Sequence, residues 1–270
     1  MTAVLLQLSM PALLIAGASA AQRRWGPRVG GILTGLPITS LPLILLIALA
    51  HGDRFAARAA GAGLEGTVAQ AVAMWVLAAA SYRWRPLAGL AVSLVAFAAT
   101  VALVELLPGL PTLLGAAAGT GAFALALLTW PRSPSPVHSG RPPAPRRELP
   151  TRMALAAGFA LAITEASGGL GAHLAGLIGS LPVIALIMAV LTARDQGAPA
   201  AAKFLRGVTG GSFAVVSALA VLAWDLPAGH TFVAFVAAAA AAAASLAVVE
   251  ALRAAGRRPG IVAAATADRR

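Results

Sequence analysis

The 270-residue chain contains no cysteine, and its lysine and tyrosine counts are one each. Without cysteine there is no disulfide framework, no thiolate metal site and no thiol nucleophile. Charge is also scarce, because Asp, Glu, Lys and Arg together make up only 11% of the chain. Soluble domains have about 25% charged residues, so this composition excludes an ordinary soluble globular protein.

Long apolar runs take the place of the missing charges. Hydrophobic residues form 59% of the chain, and the mean hydropathy is +0.86. A helix of about 20 apolar residues crosses the hydrocarbon core of a bilayer. The sequence therefore predicts an all-α polytopic membrane protein with about nine transmembrane helices. The predicted spans are residues 4–21, 29–50, 66–81, 87–107, 111–130, 153–168, 170–191, 207–224 and 231–252.

Basic residues predict the orientation. If the N-terminus lies outside, 18 of the 20 basic residues fall in inner loops or the tail, and only Arg54 and Arg58 fall outside. Such a bias matches the positive-inside rule. We expect a multi-pass protein of a bacterial-type cytoplasmic (inner) membrane with a cytoplasmic C-terminus. An alternative for the first span is a cleaved signal peptide ending near Ala18-Ser19-Ala20, although Arg23 and Arg24 follow it directly.

Two halves of the chain resemble each other. Gly31 and Ser40-Leu41-Pro42 recur as Gly171 and Ser180-Leu181-Pro182, a shift of 140 in residue number, and Glu105 recurs as Glu250, a shift of 145. The shift spans an odd number of predicted helices, so the second unit would enter the membrane inverted. The expected units are a four-helix repeat (1–110), a linking helix (111–130), a Pro/Arg-rich cytoplasmic linker (131–150), an inverted four-helix repeat (151–254) and a basic cytoplasmic tail (255–270).

Glycine and proline interrupt the second and seventh spans near their centres. Proline removes a backbone donor and disfavours helix at the preceding residue. Paired broken helices at equivalent positions indicate a transporter's substrate site. The predicted substrate-binding residues are Pro37, Thr39, Ser40, Pro42, Gly179, Ser180, Pro182 and Gln70. A structural alternative is close packing of small-xxx-small motifs such as Gly31/Gly35 and Gly207/Gly211.

Ionisable residues within or beside the spans are candidates for ion or proton coupling. They are Glu165, His173, Glu105 and Glu250. Each lies near a predicted span end, so an interfacial position without a functional role is the alternative.

No enzyme motif accompanies these features. The chain has no GxxxxGK[ST] loop and no HExxH. We expect no metal, no cofactor and no nucleic-acid partner. The leading function is a secondary transporter or permease for a small solute in contact with membrane lipid, either as a monomer or as a homo-oligomer. The alternatives are a non-transporting assembly subunit of an envelope complex and a membrane enzyme acting on a lipid-linked substrate.

Each half also resembles the small bacterial GlpM-type inner-membrane proteins. The resemblance rests on Gly35-Leu36-Pro37 through Pro42, echoed by Gly176 through Pro182. It covers the greater part of each half; the duplication and the linking helix depart from the family pattern. The resemblance implies about four spans per half and an envelope location, and it implies little about a substrate.

Overall fold

The computed structural model describes residues 17, 19–38, 40–106, 109–132 and 172–255. Within these ranges every regular element is helical. Residues 19–25 are helical, and ten longer helices follow. They are α1 Pro27–Thr34, α2 Ser40–His51, α3 Asp53–Ala80, α4 Pro86–Glu105, α5 Thr112–Leu128, α6 Ala172–Gly179, α7 Val183–Gln196, α8 Ala198–Gly211, α9 Phe213–Asp225 and α10 Thr231–Ala255; the 3-10 helix Leu226–Ala228 joins the last two.

The all-α class predicted from the sequence is confirmed among the described residues, and the apolar helices are consistent with a membrane protein. Within the described ranges, five helical segments are long and apolar enough to cross a bilayer: Asp53–Ala80, Pro86–Glu105, Gly176–Gln196, Ala198–Ala228 and Thr231–Ala255. Ser40–Leu49 and Thr112–Leu128 are shorter apolar helices. The first predicted span lies largely, and the sixth entirely, outside the described residues, as does most of the 131–150 linker.

Two predicted loops are helical. The third span was expected to begin at residue 66, but α3 begins at Asp53 and runs for 28 residues. The stretch expected to connect the seventh and eighth spans instead belongs to α7 and α8, with Gly197 alone between them. Both stretches are rich in alanine, the strongest helix former. Their scattered charges lower hydropathy without weakening the helix.

Alanine and glycine occupy much of the inside of the bundle, together with larger side chains such as Phe123, Phe204 and Met74, and many large apolar residues lie on its outside. The α3 segment and the Ala198–Ala228 segment are mostly buried, whereas α4 and α10 are mostly exposed. Exposed side chains on α4 and α10 include Val95, Leu103, Phe232 and Val248. In a bilayer such side chains face lipid at no cost, which explains a surface that water would not tolerate.

Several helix boundaries recur at an offset of 145 in residue number. Helices α1 and α6 end at Thr34 and Gly179, and α4 and α10 begin at Pro86 and Thr231. Gly52 precedes α3 with φ 85° and ψ 164°, and Gly197 precedes α8 with φ 88° and ψ 169°. These values lie in a region that is essentially restricted to glycine. Residues related by this offset are called equivalent below.

Candidate functional site

Both interruptions predicted from Gly and Pro are present. Helix α1 ends at Thr34 and α2 begins at Ser40, while α6 ends at Gly179 and α7 begins at Val183. Pro182 caps α7 with a non-helical ψ of 59°. Because a break frees backbone groups that hydrocarbon cannot satisfy, both sites must lie against protein or water if they lie within a bilayer.

The short helix α1 packs with its backbone directly against α8. A Cβ placed on Gly31 would overlap the carbonyl oxygen of Phe204, and one placed on Gly207 would overlap that of Arg28. Gly35 and Gly211 meet in the same way one turn further on. The two small-xxx-small motifs seen in the sequence therefore pack against each other, as close helix approach requires.

The short helix α6 packs in the same manner against α3. A Cβ on Gly176 would overlap the carbonyl oxygen of Ala59 and would lie 3.0 Å from the nitrogen of Gly63. The offset of 145 relates this contact to its reciprocal one, in which Gly31 meets Phe204 and Val208. Each broken helix thus crosses the long helix that belongs to the other half of the chain.

The crossings place the two interruptions near the centre of the bundle. Gly66 lies against the Ser180 side chain, in the position that Gly211 holds against Gly35 in the other crossing. A Cβ on Gly179 would lie 3.2 Å from the Cδ2 atom of Leu43, so the break after α6 also contacts α2.

Polar side chains at this centre are few and bonded. The Ser180 hydroxyl donates to the carbonyl oxygen of Leu177 at 2.6 Å. Gln70 is buried, and its Nε2 donates to Ser212 Oγ at 3.3 Å. Ser212 is the residue between α8 and α9, next to Gly211. Gln70 and Ser180, which the sequence predicted to bind the same substrate, therefore both lie one turn or less from the crossing.

The other predicted binding residues flank the first break. Pro37 is buried between α1 and α2, whereas Ser40 and Pro42 lie in the first turn of α2 and are half-buried. Pro182 is half-buried at the start of α7. Thr39 lies outside the described residues. No hydrogen bond joins the two breaks among the described side chains, so packing alone connects them.

A histidine and two glutamates, here called the imidazole cluster, meet beside the second crossing. His173 Nε2 lies 3.3 Å from Glu105 Oε1 and 3.9 Å from Glu65 Oε2. The backbone nitrogen of Leu110 donates to Glu65 Oε1 at 2.8 Å. The Glu65 side chain is only 6% exposed. The cluster joins α3, α4 and α6 through two carboxylates and one imidazole.

A second ionic group, here called the guanidinium cluster, consists of Arg28, Glu250 and Arg253. Arg28 Nη2 lies 3.3 Å from Glu250 Oε2, and Arg253 Nη1 pairs with Glu250 Oε1. The Arg253 guanidinium fills the space beside Gly210, where a Cβ would collide with it. This cluster ties α1 to α10.

The sequence singled out some of these charged residues and missed others. His173, Glu105 and Glu250 take part in the two clusters, while Glu165 lies outside the described residues. Glu65 was not among the predicted residues, because it immediately precedes the third predicted span (66–81). Its role would have been visible if the alanine-rich stretch from Asp53 had been assigned to helix, since that places a carboxylate inside a long buried helix.

Other site types find little support in the described part of the chain. No group of three or more His, Asp or Glu there could hold a metal ion. A groove of about 280 Å³ lies between α5 and the end of α9, away from both breaks. Its walls are mainly apolar and include Leu113, Val221 and Trp224.

Comparisons with known proteins do not extend this description. No family model, curated protein or solved structure matches the chain. The resemblance to GlpM-type proteins therefore stays a prediction, and the function must be argued from the geometry of the broken helices.

Proposed function

We propose that this protein is a secondary transporter or permease for a small solute, built from two inverted repeats. The observation that carries the proposal is the reciprocal crossing, in which Gly31 meets Phe204 and Gly176 meets Ala59 at one constant offset. Discontinuous helices at equivalent places in two repeats are the typical location of a transporter's binding site.

The direction of the helices supports the inversion. Gly31 contacts Phe204 and Val208, and Gly35 contacts Val208 and Gly211, so α1 and α8 run in the same direction. Helices α7 and α8 pack against each other although a single residue joins them, which makes them a hairpin. If α6 continues through its break into α7, the broken helix of one half runs opposite to that of the other.

The charge pattern gives the proposed orientation. With the N-terminus outside, the imidazole cluster lies at the outer side and the guanidinium cluster at the inner side. Arginine on the cytoplasmic side agrees with the positive-inside rule. Each cluster then joins a peripheral helix to a broken helix at one end of the proposed pathway.

Solute binding would take place between the two breaks. Residues 35–38 and 180–182 lie outside regular helix, and the amides of Gly35, Leu36, Ser180 and Leu181 make local turn hydrogen bonds, so a solute would bind to the remaining backbone groups of the two breaks. Ser180 and the Gln70–Ser212 pair supply side-chain groups nearby. Rocking one half against the other about the two glycine crossings would expose this site to each side in turn.

Ligand-dependent stability provides the first test. The purified full-length protein is heated with a panel of amino acids, sugars, nucleosides, inorganic anions and organic cations, and stabilising solutes are then tested for uptake into proteoliposomes. A solute at a hundred times its Kd raises the free energy of unfolding by about 2.7 kcal/mol. At least one solute class is expected to stabilise the protein and to be taken up.

A matched pair of serine variants locates the site. Ser180→Ala removes a hydroxyl at the second break, and Ser217→Ala removes one that donates to Ala214 at 3.1 Å within α9. Both lost bonds are local, so both variants should fold. Uptake is expected to fall only in Ser180→Ala. Equal uptake by the two variants would show that the solute does not bind at the break.

A further inference from the structure

The two charged clusters occupy equivalent positions but differ in chemistry. The offset of 145 pairs Arg28 with His173, and it pairs Glu105 with Glu250. The His173–Glu105 contact and the Arg28–Glu250 ion pair are therefore counterparts, and both have a nitrogen–oxygen distance of 3.3 Å. In one half the nitrogen partner is an imidazole, and in the other it is a guanidinium.

The third member of each cluster reinforces the difference. Glu65 corresponds to Gly210 at the same offset, and the Arg253 guanidinium fills the space beside that glycine. A carboxylate in one half is thus replaced by a second guanidinium in the other. The imidazole cluster has two carboxylates for one imidazole, and the guanidinium cluster has one carboxylate for two guanidinium groups.

We propose that His173, held between Glu65 and Glu105, is the proton-binding site of this protein, and that its binding of a proton closes the bundle on that side. The proposal rests on the transport function proposed above and names the proton as the co-substrate. Arg28 holds its charge at every physiological pH, so the opposite side has no equivalent response.

Electrostatics explains why the proton would close the cluster. A neutral imidazole offers Glu105 and Glu65 one N–H and no net charge, whereas the protonated ring attracts both carboxylates. Glu65 is nearly buried and otherwise accepts only the Leu110 amide among the described contacts. A buried charge without a partner charge is strongly unfavourable. Loss of the proton therefore favours movement that admits water to Glu65.

The other charged groups near the start of α3 are either bonded to another residue or exposed. Helix α6 packs mainly on α3. At that end of α3, Asp53 accepts hydrogen bonds from Thr231, and Arg54 and Arg58 are exposed. In the described part of the chain, Glu65 and Glu105 are the charged groups that pair with the imidazole.

Thiol labelling tests the proposal without a known solute, because the chain has no native cysteine. Ala69 and Ala214 are fully buried and lie at equivalent positions, one turn beyond Glu65 and Gly210. Each is replaced singly by cysteine in the full chain in nanodiscs and reacted with a maleimide between about pH 5.5 and pH 8. Rates are divided by those of Leu106→Cys and Leu252→Cys, two exposed references that remove the intrinsic pH dependence of thiolate chemistry.

The two reporters are expected to differ. Normalised labelling of Ala69→Cys should slow by about tenfold from the high to the low pH, which is a typical size for coupling between two sites. Labelling of Ala214→Cys should not slow, and rocking that closes the outer side would speed it. An equal response of both reporters, or none from Ala69→Cys, would overturn the proposal.

Two further variants act in opposite directions. His173→Arg makes the charge permanent, so Ala69→Cys should label slowly at every pH. Glu105→Gln removes one of the two attracting charges, so labelling should be fast at every pH. A variant that merely disturbs folding would speed labelling in both cases, and that result would contradict the assignment. A pH response without any transported solute would leave the proton site intact and refute only the transport function.

Discussion

At the residue scale, the close packing of α1 against α8 depends on four glycines. Gly31, Gly35, Gly207 and Gly211 bring the backbones of α1 and α8 so close that a methyl group on Gly31 or Gly207 would overlap a carbonyl oxygen of the facing helix. Backbone cannot move aside as a flexible side chain can. In a bilayer, where water does not drive helices together, such close packing is a main source of association.

Gly31→Ala is expected to lower the free energy of unfolding by about 1–3 kcal/mol, since overpacking a tight contact costs that much. Gly61→Ala is the matched control, because a Cβ there would meet no atom within 4 Å. Alanine in a helix is favoured over glycine, so the control should lose no stability. Denaturant titration in detergent measures both. Equal losses would show that the crossing does not depend on backbone contact.

The charged residues show what the sequence could and could not reveal at this scale. His173, Glu105 and Glu250 stood out because ionisable groups are rare in apolar spans. Their partners did not, since Arg28 and Arg253 look like ordinary loop charges at the ends of spans. Only the fold brings Arg28 to Glu250, its partner from the far end of the chain.

Two one-residue turns determine the arrangement at the element scale. Gly52 joins α2 to α3 and Gly197 joins α7 to α8, both with positive φ. An L side chain in this conformation is strained by about 1–3 kcal/mol. These turns let each broken segment fold back along its long helix without an intervening loop.

Gly52→Ala and Gly197→Ala should therefore destabilise the protein by similar amounts of about 1–3 kcal/mol. Gly121→Ala in α5 serves as the control, because a Cβ added there would meet no atom within 4 Å. The measurement is again the free energy of unfolding. A loss of stability in one of these two variants but not in the other would contradict the equivalence of the two turns.

Helix interruptions were predictable, but helix starts and the repeat register were not. Proline and glycine act locally, so the breaks near Pro37 and Pro182 follow from a few residues. The start of α3 depends on alanine propensity, which a hydropathy window does not measure. The repeated Ser-Leu-Pro indicated an offset of 140, yet this motif lies within α2 in one half and at the break in the other. The crossings instead match at 145.

For the whole molecule, the reciprocal crossings imply that the halves fold on each other rather than side by side. The most buried helices, α3 and α8, each belong to one half and receive the broken helix of the other. Such an exchange would follow from the proposed two-fold relation between the halves. The proposed inversion places this axis in the membrane plane, as in many secondary transporters.

The inversion is tested most directly by the sidedness of two equivalent residues. His51 and Gln196 are the last residues of α2 and α7 and are related by the same offset, and they avoid the strained glycines beside them. Each is changed to cysteine and probed with an impermeant thiol reagent in intact cells that express the full chain. We expect His51→Cys to label from outside and Gln196→Cys to label only after lysis. Labelling of both from the same side would contradict the inverted repeat and, with it, the proposed transporter architecture.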